Sequence, residues 1–113
     1  MIRVYVAGAL NSDAVGYIKN AHRMIKTARE LRKYGFSVYV PANDFLEGIV
    51  DGSFEYTDYF NNGQEWLKVS QAMFLTPGWE SSMGTLREIE VAASLEIPTF
   101  KDIDKLIRHF DIN

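Results

Sequence analysis

The chain has no cysteine among its 113 residues. That excludes a disulfide framework and any cysteine-ligated zinc or iron–sulfur centre. It has two histidines, His22 and His109, far apart in sequence and in no metal-ligand spacing. No metal is therefore expected. No apolar run approaches the roughly 20 residues that span a bilayer. The opening "MIRVYVAGAL" is too short and too well patterned for a secretory h-region, and no A-x-A pattern follows it. The expectation is a soluble, cytoplasmic protein with no membrane partner. Positive charge is not in surplus: the net charge is −3. A nucleic-acid polymer is thus not an expected partner. An anionic ligand would have to be held by local donors.

What is present is ordinary globular material, with 47% hydrophobic and 24% charged residues. The length suits one domain over residues 1–113. "IRVYVAG" reads as a buried strand ending at Gly8. "LNSDAVGY" reads as a polar loop. From about Asn20 to Tyr34, Ala21, Met24, Ile25, Ala28 and Leu31 recur at helical spacing, and Gly35 supplies the C-cap. "FSVYVP" is a second strand. Residues 42–55 read as a long loop. A helix is expected from about Thr57 to Val69, a third strand in "AMFLTP", and a tight turn in "GWESSMG". A helix from about Gly84 to Leu95 follows, then a short strand, "IPTF". The last helix, in "DIDKLIRHF", has Asp102 as its N-cap.

That alternation predicts an α/β fold. The form expected is a flavodoxin- or Rossmann-like three-layer sandwich with a four- to five-stranded parallel sheet. Right-handed crossovers place helices on both faces. Ligands in such folds sit beyond the carboxyl ends of the strands. Loops 8–16, 42–55 and 77–84 should converge there.

One residue breaks the helical pattern. A helix turns about 100° per residue. Arg87, Glu90 and Ser94 form the wet stripe of the 84–95 helix, with Leu86, Ile89, Ala92 and Ala93 on the other side. Glu88 falls between Leu95 and Ala92, away from the wet stripe. A first-turn glutamate ordinarily complements the helix dipole. Its position predicts instead a carboxylate sheltered at the edge of a cleft. The turn before it, with Gly78, Ser81, Ser82 and Gly84, exposes backbone N–H groups and hydroxyls at a helix start, an arrangement that attracts anions.

"VYVAG", "GFSVYVP" and above all "PGWESSMGTLRE" together resemble the nucleoside 2-deoxyribosyltransferase superfamily. The nearest pattern is that of its small phage and bacterial members of unknown function. The superfamily also holds hydrolases of deoxynucleoside 5′-monophosphates. The resemblance implies that Glu88 is the nucleophile and that Tyr5 holds it in place. It puts Gly8 on the sugar side of the site and Ser82 and Gly84 on a 5′-phosphate. The base-exchanging transferases carry an acid where Ser82 stands, which leans toward a phosphorylated substrate. The implied partner is a deoxynucleoside or deoxynucleotide, with no cofactor. The implied assembly is a homodimer or higher homo-oligomer.

This chain departs from the pattern at one point. The superfamily's aspartate for the leaving base aligns with Gly63. Asp58, just over one turn earlier, is the acid expected to substitute if the helix begins late; Asp44, also expected at the substrate, and Asp51 are the other candidates. Trp79, from the nucleophile turn, and Phe45 are candidates to wall the base pocket, while Trp66 reads as core or subunit interface. An N-glycosidase or glycosyltransferase is the leading expectation. The alternative is a non-catalytic nucleotide-binding module.

Overall fold

The computed structural model describes residues 1–10, 13–53 and 55–112. Five residues, Arg3–Ala7, form the central strand β1. Helix α1 spans Ala14–Lys33, and β2 is Ser37–Tyr39. Helices α2, Ala42–Asp51, and α3, Tyr56–Lys68, precede β3, Ala72–Leu75. A single 3-10 turn, Trp79–Ser81, leads into α4, Met83–Ser94. Strand β4 is Thr99–Phe100, and α5 is Ile103–His109.

The sheet runs β2-β1-β3-β4 and is parallel throughout. The fold class is therefore the α/β sandwich that the alternation predicts, with four strands. Strand alternation sorts the core into two layers. Val4, Val6 and Phe74 pack with Met24, Ala28 and Leu31 of α1 and Leu106 of α5. Tyr5, Ala7, Met73 and Leu75 face the other way, onto Leu67 of α3 and Ala92 of α4. The chain reverses strand order between β1 and β3, which makes the space beyond Ala7 and Leu75 the switch point of the sheet. There the strands approach closely. A Cβ on Gly8 would lie 1.8 Å from Thr76 Oγ1.

The segment 42–55 is not a long loop, because Ala42–Asp51 is helical. Phe45, Leu46 and Ile49 recur at helical spacing, and Gly48 costs a helix only about 1 kcal/mol. Helix α1 also starts earlier than its apolar pattern, at Ala14, because the Asp13 side chain accepts from the Gly16 N–H at 2.7 Å. Residues 11 and 12 of the 8–16 loop lie outside the described residues. Ile25 is exposed, so the buried stripe of α1 is narrower than expected.

Two further expectations change. The dry stripe of α4 is Thr85, Glu88, Ile89 and Ala92, the i, i+3, i+4, i+7 set. Leu86 and Ala93 are exposed rather than inward. Trp66 is not core, because half of it is exposed on α3. Among the described residues no helix is long and apolar enough to cross a membrane.

Candidate active site

The site is built from the helical layer over Tyr5. β1 presents Tyr5 toward α3 and α4, where it is 1% exposed. The Tyr5 hydroxyl donates to Glu88 Oε2. Ser82 fixes the start of α4 and hence the phase of Glu88: its Oγ accepts from the Thr85 N–H at 3.2 Å and from Thr85 Oγ1 at 2.9 Å. Burial raises the Glu88 pKa from 4.5 to about 7, and the Tyr5 hydrogen bond opposes that rise. Burial, and then the Glu88 carboxylate, hold the Tyr5 hydroxyl well above its ordinary range. Tyr5 thus stays a donor while Glu88 sits near the midpoint of its titration at neutral pH.

Gly63 of α3 lies over this pair. A Cβ there would come within 2.8 Å of the Tyr5 hydroxyl oxygen. The residue that stands where the resemblance calls for an acid therefore gives α3 its close approach to Tyr5. A side chain of any size would have to displace the Tyr5 hydroxyl from its bond to Glu88.

A second group adjoins the first. Tyr39 is paired in register with Tyr5 on the neighbouring strand and stacks on it at 5.3 Å between ring centroids. Trp66 stacks on Tyr39 at 5.6 Å. The three rings form a column from the buried Tyr5 to the half-exposed Trp66. The Tyr39 hydroxyl donates to Asp44 Oδ2. Asn62 Nδ2 donates to the same carboxylate oxygen at 3.1 Å and to the Tyr39 hydroxyl at 3.3 Å. Burial first, and then Asp44, raise the Tyr39 hydroxyl pKa. The charges of the two groups are felt across the column, since Asp44 acts on Tyr5 and Glu88 on Tyr39.

Residues 2–100 match the family model described as a domain of unknown function, DUF4406. The chain belongs to the DUF4406 family. No curated protein matches it. The DUF4406 span runs from the edge of β1 through β4, so it holds the whole Tyr5–Glu88 centre and the Tyr39–Asp44–Asn62 group. Helix α5 lies beyond it.

The remaining candidates of this DUF4406 domain lie on α2, α3, α4 and the turns next to the strands. Asp44 stands in the first turn of α2, tied down by Tyr39 and Asn62. Asp58 has a different post, as an exposed residue whose Oδ2 accepts from the Glu55 N–H at 2.8 Å and closes the start of α3. It borders a polar depression of about 420 Å³ with Glu47, Ser53, Asn61 and Asn62. Asp51 accepts from Ser53 Oγ at the end of α2. Trp79 is half-buried and packs on the Tyr5 layer. Gly84 is in the first turn of α4, and Gly8 is at the switch point. The side chain of Phe45 lies outside the described residues. Among the described residues no three His, Cys, Asp or Glu side chains come together as a metal ligand set.

Sequence reasoning missed Tyr39, Asn62 and the role of Gly63. One signal was available: "VYV" occurs in both β1 and β2, and parallel pairing in register sets Tyr5 beside Tyr39. Asn62 had none, because its partners come from elements far off in sequence.

Tyr5→Phe separates the two influences on Glu88. It keeps the ring stack and removes the hydrogen bond that holds the Glu88 pKa down. The Glu88 carboxyl carbon, followed by NMR, is expected to titrate above the parent value of about 7. Stability should fall by about 1–2 kcal/mol, the usual cost of a lost part-buried hydrogen bond to a carboxylate. An unmoved titration would show that the contact does not govern Glu88.

Proposed function

We propose that the protein cleaves the N-glycosidic bond of a 2′-deoxynucleoside or its 5′-monophosphate, with Glu88 as nucleophile. The observation that carries this reading is the sheltered Tyr5–Glu88 pair on the dry face of α4. The resemblance of "PGWESSMGTLRE" to the nucleoside 2-deoxyribosyltransferase superfamily supports it.

The chemistry follows from the carboxylate. Ionised Glu88 attacks C1′ of the sugar, and the electron pair of the breaking C–N bond leaves with the base. The transition state is oxocarbenium-like, and the adjacent negative charge stabilises it. The departing base takes a proton from an acid. The candidates to supply that proton, in place of the absent acid at Gly63, are Asp58, Asp44 and Asp51. Water then hydrolyses the glycosyl ester, or a second base attacks it, and Glu88 is regenerated. The Ser82 hydroxyl accepts from both Thr85 donors, which leaves its own proton for a 5′-phosphate. Two copies of the chain form the working unit in this reading.

Incubation with deoxynucleosides and their 5′-monophosphates, followed by chromatography and intact-protein mass spectrometry, tests it. Free base and a deoxyribosyl adduct on Glu88 are expected, and both vanish in Glu88→Ala. No base release from any of these substrates, or release indifferent to Glu88→Ala, refutes the reading.

Gly63 favours a second reading, a module that binds deoxynucleotides without turning them over. Its signature is a melting temperature raised by deoxynucleotides with no base released.

A further inference from the structure

Six of the twelve Lys and Arg residues lie on α1, in a chain whose net charge is −3. Lys19, His22, Arg23 and Lys26 stand at i, i+3, i+4, i+7 spacing and so share one face of that helix. They rim an open groove of about 540 Å³. Its floor is apolar, with Phe74 of β3, Pro77 just beyond that strand, and Ile103 of α5. Phe74 points to the α1 and α5 side of the sheet, so the groove backs onto the face opposite Tyr5 and Glu88.

The rim is electrostatically unsatisfied. Like charges at three- and four-residue spacing repel on a helix. The acid at the groove, Glu30, is paired with Lys33 at 3.1 Å. Lys19, His22 and Lys26 have no hydrogen-bond or ion-pair partner among the described residues. Arg23 donates one N–H, from Nη1, to the Pro77 carbonyl at 2.8 Å and keeps its other donors. A plain solvated lysine face has neither an apolar trough beneath it nor an arginine fixed at its edge.

We propose that this groove is a second ligand site, for a small phosphomonoester with an apolar or aromatic body. The phosphate lies among Lys19, Arg23 and Lys26, where charge-assisted hydrogen bonds are strongest. The apolar part lies on Phe74 and Ile103. The volume suits a small molecule. The overall negative charge of the chain disfavours an extended polyanion, whose contacts would run past the groove. The groove shares no residue with the Tyr5–Glu88 centre, so this inference stands or falls independently of the glycosidase reading.

Two-dimensional amide NMR of the whole chain, titrated with phenyl phosphate, inorganic phosphate and phenol, tests it. Saturable shifts are expected at residues 19–27 and at Gly78 with phenyl phosphate. That ligand should bind at least about tenfold more tightly than inorganic phosphate, because only it fills the apolar floor. The double variant Lys19→Glu, Lys26→Glu, at exposed positions, should weaken it about tenfold or more without lowering the melting temperature. Glu88→Gln should leave it unchanged. Any of four results overturns the proposal: no saturable shift, equal affinity for inorganic phosphate, shifts centred on residues 80–88 that persist in the double variant, or a single-stranded oligonucleotide that binds more tightly than phenyl phosphate.

Discussion

Glu88→Gln is expected to melt at a higher temperature than the parent protein at pH 8 while losing the proposed activity. The folded-state pKa of Glu88 is raised from 4.5 to about 7, and burial is the first cause. Between those two pH values the folded protein holds a proton that the unfolded chain has released. The stability this group contributes is complete below pH 4.5 and is lost as pH rises through about 7. The full span is worth roughly 3 kcal/mol, at 1.36 kcal/mol per pKa unit. Glutamine cannot ionise, and its carbonyl oxygen can still accept from Tyr5. The variant therefore avoids the loss. A gain of about 10 °C at pH 8, and almost none at pH 4, is the expected scale for a chain of this size. Thermal unfolding followed by circular dichroism at the two pH values measures it. A variant no more stable than the parent at pH 8 would mean that Glu88 ionises without strain.

In the proposed reaction the same substitution replaces the attacking carboxylate with a neutral amide. Base release should fall by about a thousandfold or more. In the parent, activity should rise as pH climbs through about 7, because only the ionised carboxylate attacks. Stability and activity then move in opposite directions over one pH interval, as expected of a carboxylate sheltered for its chemistry rather than for the fold.

Gly8→Ala is expected to destabilise the protein by about 2–4 kcal/mol, at or beyond the upper range for overpacking. The added Cβ would lie 1.8 Å from Thr76 Oγ1, far inside contact. Thr76 has little freedom to retreat. It is 3% exposed, its N–H donates to the Ala7 carbonyl at 2.9 Å, and its hydroxyl reaches the same oxygen at 3.4 Å. Relief requires β1 and β3 to part at the switch point, which would also disturb the register that holds Tyr5 beneath α4. Adding Thr76→Ala to Gly8→Ala removes the offending oxygen and leaves a Cβ contact of 3.1 Å, so much of the loss should be recovered. Urea unfolding of the single and double variants gives both numbers. A Gly8→Ala protein as stable as the parent would disprove the close approach.

The elements differ in how far local pattern reveals them. β1, β3 and α3 show their character in short windows, and the caps at Ser82 and Asp102 do so through residue type. Residues 42–51 do not, because Gly48 and the acids Asp44, Glu47 and Asp51 around it mask the helical spacing of the apolar residues. Glu88 was legible because helical phase alone puts it on the Thr85–Ile89–Ala92 side. Leu86 and Ala93 were misplaced by the same phase argument, since periodicity gives a direction but not the width of the neighbour that covers it.

Sequence by itself determined the α/β alternation, the single sheet and the presence of a carboxylate on a dry helix face. These depend on interactions within a few residues, where side-chain periodicity is set by backbone geometry. Only the tertiary structure decided what surrounds that carboxylate. The Tyr5–Glu88 contact across 83 positions was foreshadowed by the family resemblance alone, whereas Tyr39 joins through strand register and α3 closes over them because position 63 has no side chain. Such meetings are fixed by strand order and crossover packing, which bring distant segments together without leaving a local trace in either.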